Sequence, residues 1–547
     1  MEALHKIEVR APLAYPLLAL VIGLVGAKEL SPAPLPLLAT GLIAAILLFT
    51  LCGKQSWYPV FIGTGIVIFY AYGEIRLPVK PEAYQLGMPP REVSLNLRIE
   101  RVLQERSRYG TASGLAQVVE APWQSRLHPG DRVYCRIALP KTTELTLRRG
   151  QQLQLTGVLT PLPEPESEER NFNSYLRTNG VHYRLDRTSN LHELKAPSHF
   201  NRFCQNMNQR FQQWLQLGAP EGTELSNVYL AMLLGRKAEL SGLQSERFRS
   251  TGTMHFFAIS GLHIGVIATV IAQALKLVRV PNCLSPVIGL PMVYCYVEIT
   301  GASPSAVRAF LMAAFFWASF AVQRQRSPFA ALIGSAFVVL VVDPQQLWSV
   351  GFQLSYSVVL SILLFGLPLN AYLCERIQPF RWLPPDSWTW QHRLTDETIK
   401  LLSLLFAISC SAWLASAPLS AAYFGVIAPG AILLNMLLVN LASLVICGGV
   451  IALGCGLIHL PELTSLLNHS AWICISLMDL LVILFTKIPG AIIQCPAFRP
   501  SIAYGILFIY FATLCGYHFH LRRYSQHWLW ASAAALLTLL AAGALSH

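Results

Sequence analysis

The stretch SGLHIGVIATVIAQALKLV, residues 260–278, decides the fold class of this protein. Its apolar run matches the roughly 20 residues that an α-helix needs to cross a hydrocarbon core about 30 Å thick. The same character extends along the chain, because 54% of its 547 residues are hydrophobic, only 13% are charged and the mean hydropathy is +0.46. A soluble domain needs far fewer apolar residues to fill its core. The sequence therefore predicts a polytopic α-helical membrane protein.

Apolar stretches of spanning length recur throughout the sequence. Some of them are short or interrupted by Gly and Pro, so we expect roughly 10 to 13 spans. The candidate spans cover residues 12–27, 35–52, 57–73, 256–278, 284–302, 306–323, 328–343, 347–369, 399–418, 431–459, 464–487, 500–518 and 526–545.

A soluble segment interrupts these spans at residues 74–199. In VSLNLRIERVL, residues 93–103, apolar and polar side chains alternate with the period of two that buries one face of a β-sheet. Further short strands are predicted in RVYCRIAL, QQLQLTGVL and VHYRLD, with turn residues between them. About five short strands in this length favour a small all-β barrel, for which an OB-like topology is one candidate among several small β-folds.

The chain thus divides into four predicted parts. Residues 1–73 form an N-terminal anchor of about three spans, residues 74–199 the β domain, residues 200–224 an amphipathic helix and linker, and residues 225–547 a transmembrane bundle. Apolar residues recur at helical spacing among Asn, Gln and Arg in the third part, which predicts a helix lying on the membrane. The positions of the short basic loops place the β domain on the outer side of the membrane.

The charge balance limits how an anionic partner would be attracted. The formal net charge is +12, from 41 Lys and Arg against 29 Asp and Glu, and basic cytoplasmic loops explain part of this excess. The β domain holds 18 basic and 14 acidic residues, a difference of 18 − 14 = +4. Attraction of an anion to this domain therefore requires local clusters of Arg and Lys.

Two histidines and a serine lie at the start of the quoted run. On a continuous α-helix, with about 100° between successive residues, His255, Ser260 and His263 share one side, while Gly261 and Gly265 lie on the other. A GxxxG pair lets another helix approach closely. The polar trio either bonds neighbouring helices or lines a pathway, since polar groups inside a membrane usually face other helices or water.

The same serine raises an enzymatic alternative, an intramembrane serine hydrolase. Ala258 stands where the GxSG motif of intramembrane serine proteases has its first glycine. A serine nucleophile also needs a base that is itself oriented by a third group, and none is evident. We therefore expect no catalytic residue here.

A second set of candidates lies in EITGASPSAVRAFLM, residues 298–312. Ser303, followed by a proline, predicts the N-terminus of a helix, and Gly301 is a candidate for helix packing. Arg308 lies just over one turn inside that helix. Its guanidinium either reaches headgroup phosphates or pairs with Glu298, or else it stands at the entry of a path for phosphate groups.

The third set lies in DPQQLWSVGFQLSYSVVL, residues 343–360. Gln353, Ser355 and Tyr356 form either a polar stripe along a pathway or hydrogen bonds between helices. Gly351 is a further candidate for helix packing.

A later stretch, residues 417–440, contains two prolines and two glycines within an apolar run. Pro418 and Pro429 predict interrupted or re-entrant helices that line a cavity. Asn435 is the lining candidate of this segment.

Taken together, these stretches resemble the ComEC family of competence proteins. The resemblance rests on LLGRKAELSGLQSERFRSTGTMHFFAISGLHIGV, GASPSAVRAFLM, DPQQLWSVGFQLSYS and APLSAAYFGVIAPGAILLNMLLVN, which follow in the order and approximate spacing of the family. RNFNSYLRTNGVHYRL resembles the end of the extracellular OB-like domain of the family. The match covers most of the chain.

The resemblance implies a multi-pass channel of the bacterial inner membrane that passes single-stranded DNA inward during natural transformation. The OB-like domain would meet DNA outside, and the channel residues would include the polar candidates above. The implied partners are single-stranded DNA, the lipid bilayer, a separate DNA-delivery protein and a separate ATP-driven motor on the cytoplasmic side, and the chain could form a homo-oligomer.

The sequence departs from the family at its C-terminal end. Many members end in a metallo-β-lactamase-like domain, whereas the one HxH here, at His518 and His520, lacks the Asp-His continuation. The phosphate-binding motif GxxxxGK[ST] does not occur either. We therefore expect no enzyme activity, no metal site and no cofactor. A transporter of another solute and the intramembrane hydrolase remain as alternatives.

Overall fold

The structure, a computed structural model, describes residues 12–30, 57–77, 84, 87–104, 110–138, 147–163, 172–219, 224–236, 240–321, 327–495, 498–516, 532–538 and 540. Within these residues the chain forms a small β-barrel and a larger body of apolar helices.

The β domain is a closed five-stranded barrel. Its strands are β1 (Arg91–Gln104), β2 (Thr111–Glu120), β3 (Arg132–Ala138), β4 (Gln152–Pro161) and β5 (Val181–Lys195), hydrogen-bonded in the order β1-β2-β3-β5-β4. The β3–β5 pair is parallel, and every other pair, including the closing β1–β4 pair, is antiparallel. This confirms the predicted OB-like barrel.

Alternation of apolar and polar residues explains why the barrel forms. The alternate residues Leu95, Leu97 and Ile99 of β1 are buried, and Leu153 and Leu155 of β4 follow the same rule. These side chains fill the barrel interior. The alternation predicted four of the strands, but β2 was missed because TASGLAQVVE is rich in small residues and buries a continuous run.

Fifteen helices are described outside or beside the strands. In chain order they are α1 (Ala14–Glu29), α2 (Trp57–Arg76), α3 (Phe172–Thr178), α4 (His199–Leu215), α5 (Leu225–Leu234), α6 (Gly242–Ser250), α7 (Gly261–Leu277), α8 (Ser285–Ile299), α9 (Pro304–Ala321), α10 (Pro328–Val342), α11 (Val350–Arg376, with a π-helical turn at Ile362–Gly366), α12 (Trp390–Phe424), α13 (Ala431–Leu457), α14 (Pro461–Thr486) and α15 (Pro500–Gly516). A two-stranded sheet pairs β6 (Val426–Ile427) with β7 (Ile493–Gln494).

Within the described ranges, four helices are long and apolar enough to cross a membrane, namely α11 to α14. Shorter apolar helices accompany them, including α5, α7, α8, α10 and α15. One buried cluster joins α4, α5, α7, α8, α9, α13 and α14, and another joins α11, α12 and α15. The prediction of a polytopic helical membrane protein is confirmed at this level.

Several predicted spans differ from the observed helices. The span predicted at 35–52 and most of the one at 526–545 lie outside the described residues. Pro418 does not interrupt α12, which continues through it to Phe424. Neighbouring helices can satisfy the backbone groups that a proline frees within a membrane. The break comes later, at Gly425, whose positive φ of 68° ends α12.

The barrel is docked on the ends of helices. Arg149, in the turn before β4, forms an ion pair of 2.8 Å with Glu298 at the C-terminal end of α8. Arg132 of β3 donates a hydrogen bond of 3.1 Å to Gln345, just after α10. The end of α2 reaches the same place, since Arg76 donates to the carbonyl of Val342 at 3.1 Å. The C-terminal ends of α2, α8 and α10 therefore lie on the barrel side.

Helix α4 connects the barrel to the helical body. The C-terminal half of its apolar side is covered by protein, because Phe211 and Leu215 are buried in the cluster with α13 and α14, and Trp214 lies against Gly456. The buried amide of Asn468 donates to the carbonyls of Trp214 and Leu217 at 2.9 and 3.1 Å and so caps the end of α4. Near its start, Phe200 and Phe203 are exposed, and the expectation of a helix that lies on the membrane stays a prediction for this part.

The barrel core can be tested through a cysteine. Cys135, the sole cysteine between residues 74 and 199, is fully buried, and burial raises the pKa of its thiol to about 12. A shift of this size lowers the reactive thiolate fraction at neutral pH by about a thousandfold. We predict that N-ethylmaleimide leaves Cys135 unmodified in the native protein, measured by peptide mass spectrometry, and modifies it after denaturation.

Exposed Cys283, between α7 and α8, is the internal control and should react in the native protein. Modification of Cys135 at the rate of Cys283 would show that the barrel interior is not packed as described.

Candidate functional site

The SGLH segment forms a helix cap. Ser260 is the N-cap residue of α7, and residues 254–257 before it form a 3-10 turn. The Ser260 hydroxyl lies 3.0 Å from Nδ1 of His263, and the Ser260 backbone N–H donates to the same nitrogen at 3.3 Å. A polar residue three positions after the N-cap often closes such a reciprocal cap. The pair therefore satisfies backbone groups that the start of a helix leaves free.

The predicted common side of the polar trio is wrong, because the segment is not one continuous helix. His255 lies in the 3-10 turn and is exposed, whereas His263 is fully buried. The predicted packing of another helix on Gly261 and Gly265 is not seen among the described residues, since none of their atoms lies within 4 Å of a Cβ at either position.

The distance of 3.0 Å between the Ser260 hydroxyl and Nδ1 of His263 would also suit a serine nucleophile and a histidine base. The two residues are three positions apart on one helix turn, the spacing of a cap. No carboxylate of the described chain pairs with His263. The geometry is explained by capping alone.

Arg308 is the buried charge of the helical body. It lies in the second turn of α9, whose start is capped by Ser303, with the N–H of Ala306 donating to the Ser303 hydroxyl at 3.3 Å. Only 4% of Arg308 is exposed. Its Nη2 donates to Ser355 on α11 at 3.1 Å, and its buried Nε has no partner among the described residues. Pairing of Arg308 with Glu298, one of the alternatives that the sequence left open, does not occur in the structure, because Glu298 pairs with Arg149 of the barrel.

Two glycines predicted to pack helices have other roles. Gly351, in the first turn of α11, is exposed, and a Cβ there would lie 3.2 Å from Nη2 of Arg308. The glycine thus lets the guanidinium lie against the start of α11. Gly301 lies in the turn between α8 and α9 with a φ of 90°, a conformation that favours glycine, and no atom lies near its Cβ position.

The other polar candidates of α11 bond to neighbouring elements. The Gln353 amide donates to the carbonyl of Leu347 at 3.1 Å and accepts from the Tyr504 hydroxyl at 3.1 Å. The Tyr356 hydroxyl donates to Ser335 at 3.3 Å. These residues join helices, which was one of the two roles that the sequence left open.

Asn435 lies in the uninterrupted helix α13. Its Oδ1 is buried and has no hydrogen-bond partner within the described part of the chain.

The barrel carries a basic and aromatic surface that sequence reasoning missed. An open groove of about 430 Å³ on β3 and β5 is lined by Arg136, Arg184, Arg187 and the ring of Phe172. Asp186 is its one acidic lining residue. Parallel pairing of β3 with β5 brings these arginines together from distant parts of the sequence. No local charge cluster in the sequence could have revealed them.

The aromatic rings beside the groove form a chain. Phe172 packs edge-on against Tyr134 at 5.3 Å between centroids and stacks on Tyr175 at 5.8 Å. Phe172 and Tyr175 are 44% and 37% exposed. Arg184 is held over the Tyr134 ring and donates to Asn173 at 2.6 Å. Rigid, partly exposed rings beside guanidinium groups suit stacking with a planar ligand.

The groove and the docking contacts lie at opposite ends of β3. Arg132, which contacts Gln345 of the helical body, begins the strand, and Arg136 of the groove follows four residues later. This separation corresponds to about 13 Å along a strand. The groove therefore stays open while the barrel is docked.

The described residues contain no group of three or more His, Cys, Asp or Glu that could hold a metal ion. His518 and His520 lie outside the described residues.

These features define a class, a polytopic helical membrane protein with an OB-like barrel docked on its helix ends. Comparison with known families is more specific, because the model of the Competence protein family matches residues 232–541, more than half of the chain. The chain belongs to the Competence protein family. No solved structure matches it.

Two relatives place the chain further. It is 25% identical over 252 residues to ComE operon protein 3 of Bacillus subtilis, covering 46% of this chain and 32% of that relative. It is 25% identical over 233 residues to Recombination protein 2 of Haemophilus influenzae, covering 41% of this chain and 27% of that relative. The chain thus matches about a third or less of each of these curated relatives.

The capping role of Ser260 predicts a difference between two substitutions. Ser260→Ala removes the cap and should destabilise the protein by about 1 kcal/mol. Ser260→Asn keeps a capping side chain but removes the hydroxyl, so it should keep the wild-type stability. Thermal unfolding of the purified variants, with the activity of the protein in cells as the second readout, tests this.

We expect Ser260→Asn to keep the activity of the wild type in cells. A folded, stable Ser260→Asn variant without function would instead show that the hydroxyl itself does chemistry.

Proposed function

We propose that this protein is an inner-membrane conduit that passes single-stranded DNA into the bacterial cytoplasm during natural transformation. The observation that carries the proposal is the open arginine and aromatic groove on a barrel docked over the ends of membrane helices. Membership of the Competence protein family supports the same role.

The groove fits a single strand better than a duplex. Proteins that hold single strands combine basic grooves for the backbone with aromatic side chains on which bases stack. Arg136 and Arg187 are exposed for the backbone, and Phe172 and Tyr175 present rings beside them. Closed five-stranded barrels of this type commonly bind oligonucleotides on one face.

Basic residues at the helix ends away from the barrel support a barrel on the outer side of the membrane. Helix α11 starts beside Gln345, which contacts the barrel, and its 27 residues extend about 40 Å to Arg376. Exposed Arg376, Arg381 and Arg393 therefore lie on the side away from the barrel. Basic residues accumulate on the cytoplasmic side of membrane proteins.

The conduit needs partners for delivery and for force. Phosphate groups cannot cross hydrocarbon without polar neighbours, so the strand requires a wet path between helices. Directed movement requires a source of energy, which we assign to a separate ATP-driven motor. A separate protein would deliver the DNA to the barrel. We assign no hydrolytic step to this chain.

The groove gives the most direct mutational test. The triple substitution Arg136→Gln, Arg184→Gln and Arg187→Gln should lower internalised single-stranded DNA at least tenfold, because salt-sensitive phosphate contacts supply much of the binding. Internalised labelled DNA in cells carrying the variant, at equal protein level, measures the effect.

Arg98→Gln on β1 is the matched control, since Arg98 is exposed on the same barrel but outside the groove. Normal import in cells that lack the whole protein would refute the conduit and favour a transporter of another solute. Normal import with the triple variant would refute the groove as the DNA contact.

A further inference from the structure

We infer that Arg308 and the start of α11 at Gly351 form a binding site for one phosphate group within the helical body. The site would take a phosphodiester, either from a DNA strand or from a phospholipid headgroup. This inference deepens the proposed function. Only the assignment of the phosphate to a DNA strand rests on the proposed function.

The first argument is uncompensated charge. Arg308 is 4% exposed and makes one hydrogen bond, from Nη2 to the neutral hydroxyl of Ser355. No carboxylate in the described ranges forms an ion pair with it. Burial of a charge without a counter-ion strongly disfavours the folded state. A bound anion would offset this cost.

The nearby polar groups are already engaged. Glu298, the acid closest in sequence on the preceding helix, is held by Arg149 at 2.8 Å. The Tyr356 hydroxyl, one residue after the Ser355 contact, donates to Ser335. The buried Nε of Arg308 is left without an acceptor among the described residues. The guanidinium of Arg308 therefore has N–H donors for which the described residues provide no acceptor.

The second argument is the close approach of the guanidinium to Gly351. A Cβ at this position would lie 3.2 Å from Nη2 and 3.9 Å from Nη1 of Arg308. Gly351 is itself exposed. The edge of the guanidinium that carries both Nη atoms therefore faces the exposed start of α11, where a side chain at position 351 would stand against it. That edge is the one that binds phosphate oxygens in pairs.

The third argument is the orientation of two helices. Arg308 lies in the second turn of α9, and Gly351 and Ser355 lie in the first two turns of α11. The N-caps Ser303 and Ser349 each bind one backbone N–H. Other N–H groups of a first turn have no partner within the helix, and the helix dipole favours an anion there. Both helix starts thus add to the attraction of Arg308.

Inorganic phosphate is the probe that tests the site without DNA. We expect phosphate, at constant ionic strength set with chloride, to raise the unfolding temperature of the purified full-length protein in maltoside micelles. Arg308→Gln should abolish this increase. Gly351→Ala should weaken the apparent phosphate affinity by about tenfold, the size expected for loss of one hydrogen bond to a charged group.

Arg393→Gln is the control, because Arg393 is exposed at the start of α12, far along the chain from the site. Each variant is compared with its own phosphate-free baseline, so a change in stability alone does not affect the result. If Arg308→Gln does not fold, Gly351→Ala still tests whether phosphate binds at this site. An unchanged unfolding temperature of the wild type in phosphate, or an unchanged increase in Gly351→Ala, would overturn the site.

Competition then identifies the source of the phosphate. An oligothymidylate with phosphodiester linkages should displace phosphate from the wild type, and the same oligomer with neutral methylphosphonate linkages should not. Displacement by short-chain phosphatidylglycerol alone would assign the site to lipid and overturn the strand contact. Phosphate binding at Arg308 with normal DNA import in cells lacking the protein would refute the proposed function and leave the site intact.

Discussion

The burial of one guanidinium without a carboxylate is the constraint around which the helical body is arranged. Arg308 is carried into the bundle by α9, is held by Ser355 of α11 and lies against Gly351 at the start of α11. Two helices therefore begin close to the same positive charge. A structural arginine would be expected to meet an acid, and the acid that the sequence offers, Glu298, is instead bound to the barrel through Arg149. The contact of Glu298 with Arg149 thus joins the barrel to the helical body.

The barrel and the bundle then form two successive places where a polyanion can be held. The groove on β3 and β5 offers exposed arginines with stacking rings, and the helical body offers a single buried guanidinium on the side of the docked barrel. The first is suited to collect a flexible strand from water, since stacking and basic contacts tolerate any sequence. The second is suited to hold one phosphate at a time in a region of low dielectric, where each contact is stronger than in water. A path for DNA needs both properties.

The barrel and the starts of several helices could be predicted from the sequence, because local residue patterns determine them. The two-residue period of Leu95, Leu97 and Ile99 predicted the barrel, and Ser303 with its following proline predicted the start of α9. The sequence could not show that α7 begins only at Gly261, because residues 254–259 are as apolar as the helix that follows. It could not reveal the groove either, since Arg136 and Arg184 become neighbours only through parallel pairing of strands that are distant in the chain. The pairing of Glu298 with Arg149 likewise depends on docking between domains.

The most direct measurement is an experimental structure of the full-length protein in lipid nanodiscs with a bound single-stranded oligonucleotide, determined by electron cryomicroscopy. The account predicts bases stacked beside Phe172 and Tyr175 on the barrel, and a phosphodiester of the same strand within hydrogen-bonding distance of both Nη atoms of Arg308. A strand that lies on the barrel groove but passes the bundle elsewhere, with a side chain of the protein covering the guanidinium of Arg308, would contradict it.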